Sequence, residues 1–345
     1  MKIKRLLPAV MLLCLNITVL AQESNLNEDY AAYLPEMRNM LKFLSQAPKN
    51  GTILTKEGLA KAREGMNVYL NTKTVIKPSV KSIQGPAGNI SLTIFKPDTI
   101  RAVVLDIHGG GWIEGSPDFD AQINDAMART CKVAVVSVDY RLAPENPFPA
   151  CIEDCKAAMK WLLNSEQAEF NTDKIFISGA SAGGHLAAVT TLFVRDSLHA
   201  IDRVKGVNLV YGVYDLGRTP SQRLATDSSF LSKKDMAEIM QLVFGNWTME
   251  QKQDPRYSPL YADLHHLPPA IFTVGAADPL ADDTYFMEAR WRMAGNKTYL
   301  AVYPESPHGV DLFPTQMAKI ARSKMYEWIN KILEWFLHIF DVLFC

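Results

Sequence analysis

Cysteine is scarce in this sequence, at five of 345 residues. Four of them, Cys131, Cys151, Cys155 and Cys345, follow the N-terminal segment and are too few for a disulfide framework. Cys151 and Cys155 lie four residues apart in a predicted helix, which is a poor geometry for a disulfide, and no metal-ligand spacing appears. We therefore interpret these cysteines as structural residues.

An excess of either charge is also absent. Lysine and arginine together number 36, and aspartate and glutamate 37, which gives a net charge of −1. This balance implies no polyanionic partner, and we expect no binding to nucleic acid. The sequence shows no repeat and no low-complexity run, and its length allows one large α/β domain or two small ones.

The N-terminal apolar run is short for a membrane span. It comprises a basic stretch, Lys2 to Arg5, then mostly apolar residues at 6–20, and small or permissive residues before Gln22. This pattern favours a cleaved signal peptide over residues 1–21 rather than an uncleaved anchor. We therefore expect a secreted or periplasmic protein whose mature chain covers residues 22–345.

The C-terminal tail, residues 335–345, is apolar on nearly all sides. It is too short and too interrupted by polar residues to cross a bilayer. An all-round apolar helix should be buried or paired, so we expect packing on its own domain, a homodimer contact or a membrane-surface contact.

A serine flanked by glycines lies at the centre of the chain. Residues 174–178 have strand character, Gly179-Ala-Ser181-Ala-Gly183 follows, and a helix-forming run comes next. A sharp strand-to-helix turn of this kind holds a nucleophile in a strained backbone conformation, and the glycines allow strand and helix to cross closely. The five-residue pattern alone is weak evidence, because a plain glycine-rich turn would look the same.

A second glycine-rich segment follows a predicted buried strand, Ala102–Ile107. It reads His108-Gly-Gly-Gly-Trp112. Consecutive glycines directly after a strand can expose backbone N–H groups to an anion, as an oxyanion hole requires. A flexible loop is the alternative, but the serine turn elsewhere in the chain favours a fixed site.

Strands and helices alternate along the chain, which predicts a mainly parallel sheet with both faces covered. We predict eight strands, over residues 74–84, 89–96, 102–107, 133–138, 174–178, 204–211, 270–274 and 299–303. The first two should form a hairpin around Gly85-Pro-Ala-Gly88. Residues 214–260 interrupt the alternation with helical stretches and no buried strand, so they resemble an inserted cap, and the helical residues 26–70 could also roof a site.

The base and acid that would serve Ser181 should follow strands, because functional groups in open α/β sheets gather at the carboxyl ends. His308 is the only histidine after the serine that lies in a turn just beyond a strand, which excludes His185, His199, His265, His266 and His338. Asp278 directly follows a buried strand and is the predicted acid. Asp215 is the second candidate, whereas Asp282 and Asp283 look like N-cap and first-turn residues of a helix.

Five motifs in order resemble the hormone-sensitive-lipase-like family of α/β-hydrolases, in its bacterial esterase branch. They are His108-Gly-Gly-Gly-Trp112, Tyr140-Arg-Leu-Ala-Pro-Glu145, Gly179-x-Ser-x-Gly-Gly184, Asp278-Pro-Leu280 and His308-Gly309. The resemblance implies an α/β-hydrolase fold with a mostly parallel eight-stranded sheet, helices on both faces and a helical cap made by residues 26–70 and 214–260.

The resemblance also implies an oxyanion hole formed by the backbone N–H groups of Gly110, Gly111 and Ala182. Two positions depart from the family pattern: Ala180 stands where Asp is common, and Val310 where Phe is frequent. Neither change removes a reacting group, so they bear on substrate preference.

Together these observations predict a secreted serine carboxylesterase that hydrolyses short-chain, acetyl-type esters of small molecules or oligosaccharides and needs no metal or organic cofactor. An amidase or peptidase would use the same triad. A ligand-binding relative without activity is the alternative from another class, and it is disfavoured because all three triad residues are present.

Overall fold

The computed structural model describes residues 23–26, 28–46, 51–68, 73–226 and 230–344. The predicted signal peptide, residues 1–21, lies outside these residues, as does Cys345. Within them, Cys131, Cys151 and Cys155 are free and buried.

One mixed sheet forms the centre of the molecule. In the described residues its nine strands are β1 (Glu23–Ser24), β2 (Ser79–Gly85), β3 (Gly88–Phe95), β4 (Ala102–Ile107), β5 (Val133–Asp139), β6 (Ile175–Ala180), β7 (Val204–Val210), β8 (Ala270–Gly275) and β9 (Thr298–Tyr303). Their spatial order is β1-β9-β8-β7-β6-β4-β5-β3-β2. The β2–β3 and β3–β5 pairs are antiparallel, and all other pairs are parallel.

Eight of these strands correspond to the predicted ones, and β1 is an addition. The two residues of β1 pair with Tyr299 and Leu300 at the β9 edge. The Asn25 side chain extends this pairing, because its Nδ2 donates to the Val302 carbonyl at 3.0 Å and its Oδ1 accepts from the Val302 N–H at 2.7 Å. Two residues carry no periodic signal, so this strand could not be predicted.

The hairpin forms as predicted, with Gly85 paired to Gly88 across a two-residue turn. Strand β2 begins at Ser79 rather than at residue 74. Pro78 has no N–H to donate, and the Ile76 N–H donates instead to Asp125 Oδ1 at 2.8 Å, which draws this segment away from the sheet.

The helices are α1 (Leu34–Gln46), α2 (Lys56–Val68), α3 (Ala121–Cys131), α4 (Ala150–Phe170), α5 (Ala182–Asp196), α6 (Pro220–Leu224), α7 (Lys233–Phe244), α8 (Met249–Lys252), α9 (Ala281–Met293) and α10 (Gln316–Phe344). Helix α3 contacts α10, and α4 contacts α5. Every residue of β4 and β8 is buried, as both faces of a covered parallel sheet require. None of the helices in the described part of the chain is long and apolar enough to span a membrane.

The two predicted cap segments contact each other and the loops at the carboxyl edge of the sheet. The Ile53 N–H, ahead of α2, donates to Glu238 on α7 at 2.8 Å. Arg38 on α1 forms two 2.7 Å bonds with Glu305, which follows β9. The described residues of 214–260 contain α6, α7 and α8 and no strand. The limits of the cap stay a prediction.

Candidate active site

Ser181 lies in the turn between β6 and α5. Its backbone angles, φ 57° and ψ −119°, are strained for a residue with a side chain. The Ser181 N–H donates to the Val210 carbonyl at 2.9 Å, which ties the turn to the end of β7. A Cβ atom at Gly183 would collide with the carbonyl oxygen of Ile107, so only glycine allows α5 to approach β4 this closely.

The structure brings Ser181, His308 and Asp278 together from the ends of β6, β9 and β8. His308 Nε2 lies 3.0 Å from Ser181 Oγ, and His308 Nδ1 lies 2.8 Å from Asp278 Oδ2. The Asp278 side chain is fully buried, whereas that of His308 keeps 12% of its surface exposed. The carboxylate is therefore shielded from water while the imidazole stays accessible.

The hydrogen bonds define how this histidine is protonated. An ionised carboxylate can only accept, so His308 Nδ1 carries the proton and Nε2 presents a lone pair to the serine hydroxyl. The second oxygen, Asp278 Oδ1, accepts the Leu280 N–H at 2.8 Å, which fixes the carboxylate plane. This arrangement can remove a proton from Ser181 and stabilise the resulting imidazolium.

Asp215, the second candidate for the acid, has other partners. Its Oδ1 accepts the Gly217 N–H at 2.7 Å, and its Oδ2 accepts the Tyr261 hydroxyl at 3.0 Å. Asp215 thus stabilises the loop after β7, and within the described part of the chain its carboxylate forms no hydrogen bond with His308.

Asp282 and Asp283 lie in the first turn of α9, as predicted, but neither is its N-cap, a position that Leu280 occupies. Asp283 instead accepts the backbone N–H groups of Tyr214 and Asp215 at 2.7 and 3.0 Å. Burial raises its pKa to about 6. The N-cap prediction was wrong because the Asp283 carboxylate binds the inserted segment, residues 214–260. The local sequence does not reveal where that segment lies.

The glycine loop after β4 runs against the serine turn. Gly110 and Gly111 have φ angles of 109° and 59°, a region that favours glycine. A Cβ at Gly109 would lie 3.5 Å from Ser181 Cβ, so loop and turn are adjacent. Among the described residues, the N–H groups of Gly110, Gly111 and Ala182 have no protein acceptor. Three such donors beside a serine can stabilise an oxyanion.

The side chains of Tyr140 and Arg63 hold the glycine loop in place. The Tyr140 hydroxyl donates to the His108 carbonyl at 2.9 Å, and its ring stacks on the His108 imidazole at 4.1 Å. Arg63, on α2, donates to the Ile113 carbonyl at 2.7 Å and forms a bidentate pair with Glu145 at 2.9 Å. These contacts explain the Tyr140–Glu145 motif, to which the sequence assigned no role.

His185, on α5, joins the glycine loop to the cap. Trp112 Nε1, which can only donate, donates to His185 Nδ1 at 3.2 Å. His185 Nε2 therefore carries the proton and donates to the Tyr257 carbonyl at 2.6 Å. Complete burial lowers the pKa of His185 to about 4, so it is neutral near pH 7. The sequence excluded His185 as the base but gave no signal for this bridge, because its acceptor lies 72 residues away.

Helix α7, in the predicted cap segment 214–260, packs against the glycine loop. The Ile239 side chain lies so near Gly111 that a Cβ added there would be 3.2 Å from two of its carbons. Phe244, also on α7, packs edge-on against Trp112 with ring centres 5.4 Å apart. Apolar side chains of α7 therefore pack closely against the loop that carries the candidate oxyanion hole.

Within the described ranges, no group of three or more His, Cys, Asp or Glu side chains could hold a metal ion. The site thus consists of a serine, a histidine, an aspartate and backbone donors at the carboxyl edge of a mostly parallel sheet, which defines an α/β hydrolase. Residues 104–312, more than half of the chain, match the model of a family described as having the alpha/beta hydrolase fold. The chain belongs to this family.

Individual relatives narrow the comparison. The chain is 35% identical over 240 residues to the carboxylic ester hydrolase LipN of Mycobacterium tuberculosis. The aligned part covers 66% of this chain and 62% of LipN, so the chain spans less than two thirds of that relative. It is 34% identical over 260 residues to an arylesterase of Saccharolobus solfataricus, covering 72% of this chain and 82% of the relative. A hormone-sensitive lipase from a metagenome library superimposes with a TM-score of 0.72 at 27% identity, covering 86% of this chain and 98% of that one. These matches confirm the resemblance drawn from the motifs.

Proposed function

We propose that this protein is a serine carboxylesterase with Ser181 as nucleophile, His308 as general base and Asp278 as the acid that orients His308. The observation that carries the proposal is the pair of bonds at 3.0 and 2.8 Å that joins the three side chains. The similarity to carboxylic ester hydrolases supports an ester as the substrate.

In the proposed reaction, Ser181 Oγ attacks the ester carbonyl carbon while its proton passes to His308 Nε2. The tetrahedral intermediate collapses, the C–O bond to the alcohol breaks, and the alcohol leaves with the proton from Nε2. Water then attacks the acyl-enzyme while its proton passes to His308 Nε2. The second tetrahedral intermediate collapses, Ser181 Oγ leaves with the proton from Nε2, and the carboxylic acid is released. The N–H groups of Gly110, Gly111 and Ala182 would stabilise the oxyanion in both halves, and no cofactor takes part.

The substrates we propose are short-chain esters of small molecules or oligosaccharides. The close packing of the apolar Ile239 side chain on Gly111 supports a small acyl group. We also propose that residues 1–21 direct export and are removed, which would make the protein secreted or periplasmic. Mass spectrometry of the mature protein from its native host should then find Gln22 as the first residue.

A panel of p-nitrophenyl esters from acetate to palmitate tests the function, with acetylated xylan and a p-nitroanilide run beside it. We expect the highest kcat/KM on acetate to butyrate, little release from the anilide, and a loss on the order of 10⁴-fold in Ser181→Ala with its circular dichroism unchanged. Hydrolysis by Ser181→Ala within tenfold of the wild type would contradict the proposal. Faster release from the anilide would instead indicate an amidase.

A further inference from the structure

Tyr211 is the first residue after β7, and its conformation is unusual. Its φ angle of 37° lies in the left-handed region, which bulky side chains rarely adopt. The residue before it, Val210, accepts the Ser181 N–H, so Tyr211 adjoins the backbone that holds the serine turn. A strained aromatic residue at this position persists only when its surroundings hold it there.

Two contacts hold the side chain. The Tyr211 ring meets the His308 imidazole edge to face, with ring centres 4.7 Å apart and planes at 64°. The Tyr211 hydroxyl donates to Asp311 Oδ1 at 2.5 Å, and both residues are buried. Since Asp311 lies three residues after His308, this bond ties the end of β7 to the turn that carries the histidine.

The hydroxyl stays a donor across the working pH range, because burial, with Asp311 nearby, raises the pKa of Tyr211. Burial also raises the pKa of Asp311, whereas the Tyr211 hydroxyl and the Arg322 guanidinium lower it, and so does His308. The other charged groups around this pair are Asp278, on His308 itself, and Asp120, near Asp311.

We propose that Tyr211 and Asp311 form a positioning pair for His308: the Tyr211 ring fixes the imidazole orientation between Ser181 and Asp278, and the hydrogen bond to Asp311 holds that ring in place. This inference rests on the proposed function. The His308 imidazole turns about its Cβ–Cγ bond, and the Nδ1 bond to Asp278 is a single restraint on that rotation. Contact with Tyr211 blocks that rotation, and the Asp311 bond prevents Tyr211 from moving away.

Substitutions on both sides of the Tyr211–Asp311 bond test this positioning role. Tyr211→Phe keeps the ring and removes the bond, Asp311→Ala removes the bond from the other side, and Asp311→Asn keeps an acceptor for the Tyr211 hydroxyl. Tyr30→Phe is the matched control, because its buried hydroxyl also donates to a carboxylate, Glu28 Oε2 at 2.8 Å. The pH dependence of kcat and kcat/KM is measured on p-nitrophenyl acetate for all variants, with melting temperatures alongside.

We expect Tyr211→Phe to lower kcat about tenfold with KM within twofold, since positioning acts on the reacting group and not on ester binding. Asp311→Ala should lose kcat to a similar extent, whereas Asp311→Asn should stay within about twofold of the wild type, because Asn keeps an acceptor for the Tyr211 hydroxyl. Tyr30→Phe should keep the wild-type kcat and profile.

A kcat for Tyr211→Phe within twofold of the wild type would overturn the positioning pair while Ser181→Ala stays inactive. Should Tyr211→Phe not fold, the comparison of Asp311→Ala with Asp311→Asn decides, and equal kcat values for these two variants would overturn the proposal. A wild type no faster than Ser181→Ala would instead refute the proposed function itself, so the two failures are distinguishable.

Discussion

Replacing His185 by glutamine should make the stability of the protein respond differently to pH. The wild-type imidazole is completely buried and bridges Trp112 and the Tyr257 carbonyl in its neutral form. Glutamine can still donate to Tyr257 but cannot be protonated in this pH range. Near pH 7.5 we expect His185→Gln to be less stable than the wild type by about 1–3 kcal/mol, because the ring contacts and the acceptor for Trp112 are lost.

The difference in the free energy of unfolding between the wild type and His185→Gln should become smaller as the pH falls. Burial lowers the pKa of His185 in the folded protein to about 4, whereas the ordinary value of 6.5 applies to the unfolded chain. Between these values only the unfolded chain binds the proton, so the contribution of His185 is complete above pH 6.5 and is lost progressively towards pH 4. At about 1.4 kcal/mol per pH unit, the wild type should lose about 2 kcal/mol relative to the variant by pH 5.

Other buried groups do not obscure this difference. Burial also lowers the pKa of His108 to about 4, so His108, like His185, destabilises the folded protein as the pH falls. Burial raises the pKa of Asp106 and Asp283 to about 6 and that of Glu114 to about 7. These carboxyl groups therefore have the opposite effect, and stabilise the folded protein as the pH falls. All of these groups are present in both proteins, so they cancel in the comparison.

Urea unfolding at pH 7.5 and pH 5.0, followed by circular dichroism and checked for reversibility by refolding, measures this difference in the free energy of unfolding. His199→Gln is the control, because this histidine is already exposed in the folded chain and its replacement should leave the gap the same at both pH values. A gap for His185→Gln that stays constant within about 0.5 kcal/mol, or widens at pH 5, would refute the reasoning.

Three further predictions concern the acid, the cap and the tail. Asp278→Asn should reduce kcat by about 10⁴-fold, because the imidazole of His308 would be held in the wrong tautomer, whereas Asp215→Asn should cost far less; a larger loss at Asp215, measured on p-nitrophenyl acetate, would reassign the acid. Ile239→Ala should raise kcat/KM for octanoate relative to acetate about tenfold by opening the space above the glycine loop, and an unchanged ratio in the ester panel would exclude Ile239 from acyl selection. A chain ending at Glu334 should keep its activity on soluble esters while self-association or vesicle binding falls, as size-exclusion chromatography and vesicle pelleting can measure; an inactive, unfolded product would place the tail in the core.

The elements predictable from sequence are those whose signal is local. Strand β4 is a run of apolar residues, and Asp278 and His308 each follow a strand, so the geometry of a parallel sheet brings them to one edge. The bridge made by His185 could not be predicted, because its acceptor is a backbone carbonyl on a segment whose position depends on the whole fold. The partners of Asp283 were missed for the same reason: its position in the first turn of a helix suggests a cap, whereas tertiary contacts with the inserted segment satisfy it instead.

The pairing of β1 with β9 has a consequence for the order in which the chain folds. Asn25 bonds to Val302 across 277 residues, so a ribosome must complete nearly the whole chain before this edge of the sheet can close. Until then β1 has no partner strand. Once β1 docks, it covers the exposed edge of β9 and protects that strand from pairing with another copy of the chain.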